Sequence, residues 1–184
     1  MFNVGDEVVY PMHGAGKIVS IEERAILNER QSYYIIKMPG EVKVMVPTAK
    51  AEEVGVRNII DEESAQKVMK VLGADSTEMS MNWNKRYREN MDKMKTGDIF
   101  EVADIVRNLS FKQKEKGLST GEKKMLLNAK QILISELVLA EKKDEGEVEE
   151  AVESKIEQAY EFHMSAMKDT VEEGNVVKKL VSLN

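Results

Sequence analysis

The chain has 184 residues, 42% of them hydrophobic and 33% charged, with a formal net charge of -6. That composition supports a core beneath a heavily charged surface, and the absence of cysteine excludes disulfides and thiolate metal sites and fits a reducing compartment. The start, MFNVGDEVVY, lacks the basic and apolar regions of a signal peptide, and the most apolar stretch, ILISELVLA, carries Glu136 and is too short to cross a bilayer, so a soluble cytoplasmic protein is expected.

The first sixty residues have strand character. VGDEVVYP, GKIVSIEER, SYYIIKM and EVKVMVP are short, rich in Val, Ile and Tyr, and partly alternating, and VGVRNII supplies a fifth run. Turn formers separate them: HGAG at 13–16, LNER at 27–30 and PG at 39–40. Five short strands at close spacing predict a small Tudor- or SH3-like β-barrel over residues 1–60. A core of that size is marginal, so the barrel should lean on the rest of the chain.

From residue 62 the period turns helical, which gives an α+β chain with an all-α second part over 61–143. EESAQKVMKVL predicts a short helix ending at Gly73, and ADSTEMS a polar linker. A second helix runs from about Trp83 to Lys95, and a third from about Ile99 to Lys116, with Val102, Ile105, Val106 and Leu109 on one face. Ser119 and Glu122 form an S-x-x-E capping box at the start of a fourth, whose inward stripe is Met125, Ala129, Ile132, Leu133 and Leu137. Lys123 and Lys124 sit in its first turn, where the helix dipole disfavours cations by tenths of a kcal/mol, about the level of an incidental placement. After Glu141 comes a hinge and then an acidic helical extension over 144–184. Its weak stripe of Val148, Val152, Ile156, Ala159 and Tyr160 leaves three outcomes open: loose docking, packing on a partner, or fraying.

The charge is unevenly spread. Residues 81–132 hold 12 Lys and Arg against 7 Asp and Glu, while both flanks are net acidic. Local field decides which polyanion can approach, so this basic block is more informative than the total. Within it lies NWNKRYRENMDKMK, with the only tryptophan, Trp83, followed by Lys85, Arg86 and Arg88. At 100° per residue Trp83, Tyr87, Met91 and Met94 share one helix face. The pattern admits two readings. In the first, Trp83 is the end of a buried stripe. In the second, it stands free at the helix start, a flat aromatic rimmed by cations, which suits phosphates and a base step.

An enzyme is hard to build from these residues. The two histidines, His13 and His163, are far apart without evident carboxylate partners, and HGAGK lacks the phosphate-loop spacing, so Gly14 and Gly16 read as turn residues. No metal or cofactor is implied.

Four motifs, in order, carry a resemblance: VGDEVVYPMHGAGKI, VP at 46–47, NWNKRYRENMDKMKTGD, and GLSTGEKKMLLNAKQILISELVLAE. Together they resemble the CarD family of bacterial RNA polymerase-binding transcription regulators over about residues 1–141. The first motif by itself is also similar to the polymerase-binding module of the transcription-repair coupling factor. The resemblance implies a Tudor-like domain that binds the β subunit of RNA polymerase and a helical domain that touches promoter DNA at the upstream edge of the bubble, changing open-complex stability without enzymatic activity. Under it Trp83 is the minor-groove wedge, with Lys85, Arg86 and Arg88 holding the nearby backbone; Lys123 and Lys124, from their placement in the first turn of the fourth helix, are expected as further DNA-binding cations. Arg24 matches a polymerase-contacting position. The strand Val44, Met45, Val46 and Pro47 is expected to add to a polymerase edge. The family's basic residue two before that proline is here Met45, a departure that bears on one salt bridge and not on the strand pairing. The expected state is a monomer bound to polymerase and to promoter DNA. The competing reading is a Tudor-like protein–protein adaptor that never touches DNA. For the acidic extension, the two readings are a flap that tempers DNA binding and a solubilising tail.

Overall fold

The computed structural model describes residues 1–26 and 29–181, with side chains described through residue 168 and at Thr170. Strand-forming residues give five strands: β1 (Glu7–Tyr10), β2 (Gly14–Ile26), β3 (Glu29–Lys37), β4 (Lys43–Pro47) and β5 (Arg57–Asn58). They form one antiparallel sheet in the order β4-β3-β2-β1-β5. Alternation along the strands buries Val8, Ile18, Tyr34, Ile36 and Val46 in one small core. A register shift between Ile18 and Ser20 bends the β2–β3 pair. Among the described residues no ladder joins β4 to β5, so the sheet is bent but a closed barrel is not shown. The expected turn at 27–30 lies partly outside the described residues.

Five helices come after the sheet: α1 (Glu62–Leu72), α2 (Trp83–Lys95), α3 (Ile99–Glu115), α4 (Thr120–Glu141) and α5 (Glu145–Val181). The first four begin at side-chain caps, in which Asp61, Asn82, Asp98 and Ser119 accept backbone amides. Their apolar faces meet in one core that includes Val68, Leu72, Met94, Val106, Leu109, Leu133 and Leu137. The start of α5 belongs to the same core. Val148, Val152, Ile156 and Ala159, spaced three or four residues apart, are buried there. Lys114 and Lys130 pair with Glu157 and Glu153 of α5. The part of the extension up to Ala159 is thus integral to the helical core rather than a loose tail. No described helix is long and apolar enough to cross a membrane.

The sheet leans on α4, and polar contacts make the joint. Arg57 of β5 reaches Glu136 of α4 through both terminal nitrogens, at 2.6 and 2.9 Å, and donates to the Gly97 carbonyl. Glu136 is 1% exposed and also accepts the Ile60 amide at 3.0 Å. The Ala15 amide donates to Ser135 Oγ at 2.9 Å. Gly14 has φ of +96°, and a Cβ there would stand 2.6 Å from Ser135 Oγ. The glycine of the HGAG turn is therefore needed for both its backbone angle and the close approach of the sheet to α4.

Candidate functional site

Trp83 is the first residue of α2, the end of the stripe least enclosed by neighbours. Along that stripe Met94 is buried, Met91 and Tyr87 are half-buried, and Trp83 remains 45% exposed. The indole stacks on Tyr87 with ring centroids 5.7 Å apart. The two rings lie over the first turn of α4 at Gly121. Beside the indole the Met81 side chain is also exposed.

The cations divide into two kinds. Lys85 and Arg88 of α2 are exposed, as are Lys123 and Lys124 in the first turn of α4. Lys85 has only a 3.7 Å contact to Glu89, and Arg88 a weak bond to the Asn84 carbonyl. Exposed pairs of this sort are worth a few tenths of a kcal/mol and leave the cations free for phosphates. Lys123 lies one helical turn beyond Ser119, the residue that meets the indole.

Arg86 is different. It is 7% exposed, and its Nε donates to Glu122 Oε1 at 2.7 Å. Its Nη1 donates to the Ser80 carbonyl at 2.7 Å and the Met81 carbonyl at 3.3 Å. Its guanidinium is thus buried and bonded to protein acceptors, unlike the exposed Lys85 and Arg88 beside which it stands in the sequence. The physical reason is the wide side of the stripe, which brings Arg86 against the start of α4, where the capping-box glutamate faces it.

Glu122 is buried as well, at 1% exposure. Burial pushes its carboxyl up, but Arg86 and the Ser119 amide and hydroxyl outweigh this and hold it below the ordinary 4.5. Ser119 Oγ donates to Glu122 Oε2 at 3.0 Å and accepts the Glu122 amide at 3.2 Å. Trp83 Nε1 donates to the same Ser119 oxygen at 2.8 Å. Sequence reading found the capping box but not its link to the tryptophan, since nothing local to either segment encodes it.

On the sheet, β4 is an edge strand, with Met45 exposed, Val44 and Pro47 half-buried and Val46 buried. Met45 pairs with Ile35 and Pro47 with Tyr33 of β3. Arg24 pairs with Gln31, two positions past Tyr33, so it projects beyond the end of β4 in the exposed part of the β2–β3 pair. It forms a 2.6 Å ion pair with Glu22. The structure thus joins Trp83 to Ser119 at the starts of α2 and α4, helices that also carry the exposed Lys85, Arg88, Lys123 and Lys124, and sets Arg24 with Val44 to Pro47 at one side of the sheet.

Residues 2–60 match the family model "CarD-like/TRCF RID domain", and residues 67–153 match "CarD, C-terminal domain". The chain is 45% identical over 138 residues to YdeB of Bacillus subtilis (strain 168), named as a candidate transcription factor, an alignment that spans 74% of this chain and 90% of that relative. This chain belongs to the CarD family. As a CarD-like transcription factor it carries an RID module, the polymerase-interacting unit shared with the coupling factor, on the sheet. The CarD C-terminal match reaches residue 153 and so takes in the first turns of α5, in agreement with their burial in the helical core.

Proposed function

We propose that this CarD-family protein binds the β subunit of RNA polymerase through its sheet and steadies melted promoter DNA with Trp83. The observation that carries the reading is the half-exposed indole at the start of α2, on a pair of helices, α2 and α4, that also present the exposed cations Lys85, Arg88, Lys123 and Lys124 near their starts. Cations of this kind hold backbone phosphates, and the ring edges into the minor groove beside an unstacked base step at the upstream fork. Unstacking costs a few kcal/mol per step, so a wedge that fits only the opened fork binds the open state better than the closed. Such a difference in affinity is what shifts the equilibrium, about tenfold for each 1.4 kcal/mol. Backbone contacts carry no base code, so the action extends over many promoters.

Placement comes from the polymerase. Edge strand β4 offers unpaired backbone groups for addition to a strand of the β subunit, with Val44, Met45, Val46 and Pro47 along the join and Arg24 beyond its end. Met45 at the usual basic position removes one ion pair from that contact and keeps the strand pairing. Tethering raises the local concentration of the wedge, so modest affinity for DNA suffices.

The test is Trp83→Ala in the full chain. Open-complex lifetime on a promoter should fall toward that of polymerase alone, with polymerase binding unchanged. A lifetime identical to that of the parent protein would overturn the reading, and a DNA affinity that does not respond to salt would favour the adaptor.

A further inference from the structure

One indole edge is not free. Trp83 Nε1 donates to Ser119 Oγ at 2.8 Å, and Ser119 Oγ donates to Glu122 Oε2 at 3.0 Å. Glu122 Oε1 accepts Arg86 Nε at 2.7 Å. Arg86 then returns to the Ser80 and Met81 carbonyls, which lie three and two residues before Trp83. The path leaves the chain just ahead of α2, crosses a buried ion pair and comes back to the indole. Arg86 and Glu122 are both buried, so the oxygen that meets the indole is fixed by partners that do not move with solvent.

We infer that Ser119, Glu122 and Arg86 are positioning residues that hold the Trp83 ring in one orientation before any DNA is met. Stacking on Tyr87 fixes the plane of the ring, and the bond to Ser119 fixes its rotation within that plane. The inference rests on the reading of Trp83 as the DNA wedge. A half-exposed tryptophan without the latch would sample several rotamers and have to be ordered at the fork. A wedge already ordered avoids that loss, which for one large side chain amounts to about two- to tenfold in affinity. The capping box of α4 thus serves two ends, starting a helix and aiming a side chain on another.

Trp83 is the only tryptophan, so emission excited at the red edge of the absorption band, where the tyrosines do not absorb, reports it alone. Ser119→Gly removes the hydroxyl while keeping most of the helix-capping preference, and Ser119→Thr keeps the hydroxyl. In the full chain, the glycine variant should show lower emission anisotropy and stronger acrylamide quenching, and open-complex lifetime should shorten about two- to tenfold. The threonine variant should restore all three. If the indole is as ordered in the glycine variant as in the parent, and lifetime is unchanged while Trp83→Ala shortens it, the positioning role is overturned and the DNA reading stands. If Trp83→Ala itself leaves lifetime unchanged, the DNA reading fails, and a loosened indole in the glycine variant still establishes the latch.

Discussion

Arg86→Ala separates a buried strut from a surface cation. Arg86 sits beside three residues assigned to DNA, yet its guanidinium bonds Glu122 and two carbonyls in a pair whose side chains are 8% and 2% exposed. Removing one member of a buried pair costs about 3–5 kcal/mol, because the other charge is left without compensation. Glu122 keeps the Ser119 amide and hydroxyl, which places the loss at the lower end, about 3 kcal/mol. For a chain of this size each kcal/mol moves the midpoint by about 2–4 °C, so Tm should fall by about 6–12 °C. Arg86→Lys should recover little, since one ammonium cannot replace a fork aimed at acceptors on two sides. Arg88→Ala is the control: an exposed side chain whose loss should move Tm by no more than about 1–2 °C. Thermal unfolding tracked by circular dichroism gives both values. An Arg86→Ala protein that melts with the parent, while losing salt-dependent DNA affinity, would refute the buried-strut assignment and return Arg86 to the phosphate-holding set.

Replacing Lys85 and Arg88 together by Ala should reduce the slope of log affinity against log salt by about two, at unchanged Tm; DNA titrations at several salt concentrations read this, and an unaltered slope removes both from the interface. Glu136→Ala strips the partner from Arg57 and the Ile60 amide, and with Arg57 still partly open to water the loss should be about 2–3 kcal/mol, or about 4–12 °C in Tm, whereas a shift under about 2 °C would show that the joint between sheet and α4 is held by other contacts. Acid should weaken the fold in a definite window. At Glu122 and Asp104 burial favours the neutral acid, but at Glu122 Arg86 and Ser119 outweigh it, and at Asp104 Lys93, Arg107 and Thr77 do, so both carboxyls titrate below their ordinary 4.5 and 3.8. A lowered folded-state pKa gives stability that is complete above the ordinary value and lost as pH falls through the lowered one. Stability in urea should therefore be flat from about pH 7 to pH 5 and decline below about pH 4.5, and Glu122→Gln should be less stable at neutral pH with a shallower acid decline; an equal decline in both proteins would exclude Glu122 as a source.

The elements were legible where their signals are local. Asp61, Asn82, Asp98 and Ser119 sit at helix starts, and the stripes beyond them are continuous, so α1 to α4 begin and end within a residue or two of the expected places. The stripe of α5 was visible as well, but whether it docked depended on a complementary face from α1, α3 and α4, which no local pattern supplies. Trp83 shows the same limit from the other side. Its periodicity is that of a core residue, and only its position at the end of the stripe, where the packing runs out, leaves it in water. The burial of Arg86 was not legible, because a cation one step from an aromatic face looks alike whether it meets a phosphate or a buried glutamate three dozen residues later. Glu136 did carry a usable signal: a carboxylate inside ILISELVLA must find a partner if the run is buried, and that partner is Arg57.

These contacts give α4 a role that neither domain has alone. Near one end, Ser135 and Glu136 hold the sheet through the Ala15 amide and Arg57. At the other, Ser119 holds the indole, and Lys123 and Lys124 are exposed near the same helix start. Sixteen residues separate Ser119 from Ser135, which at 1.5 Å per residue makes a straight span of about 24 Å. On the proposed reading, the sheet is the attachment to polymerase and the indole is the wedge, so this single helix sets the distance between them. A flexible linker in its place would spread the wedge over a large volume and lower its effective concentration at the fork. A helix clamped near both ends confines it. That is why ion pairs with a buried carboxylate, which add little net stability for their desolvation, suit the two ends: Arg57–Glu136 and Arg86–Glu122 favour one geometry over the rest.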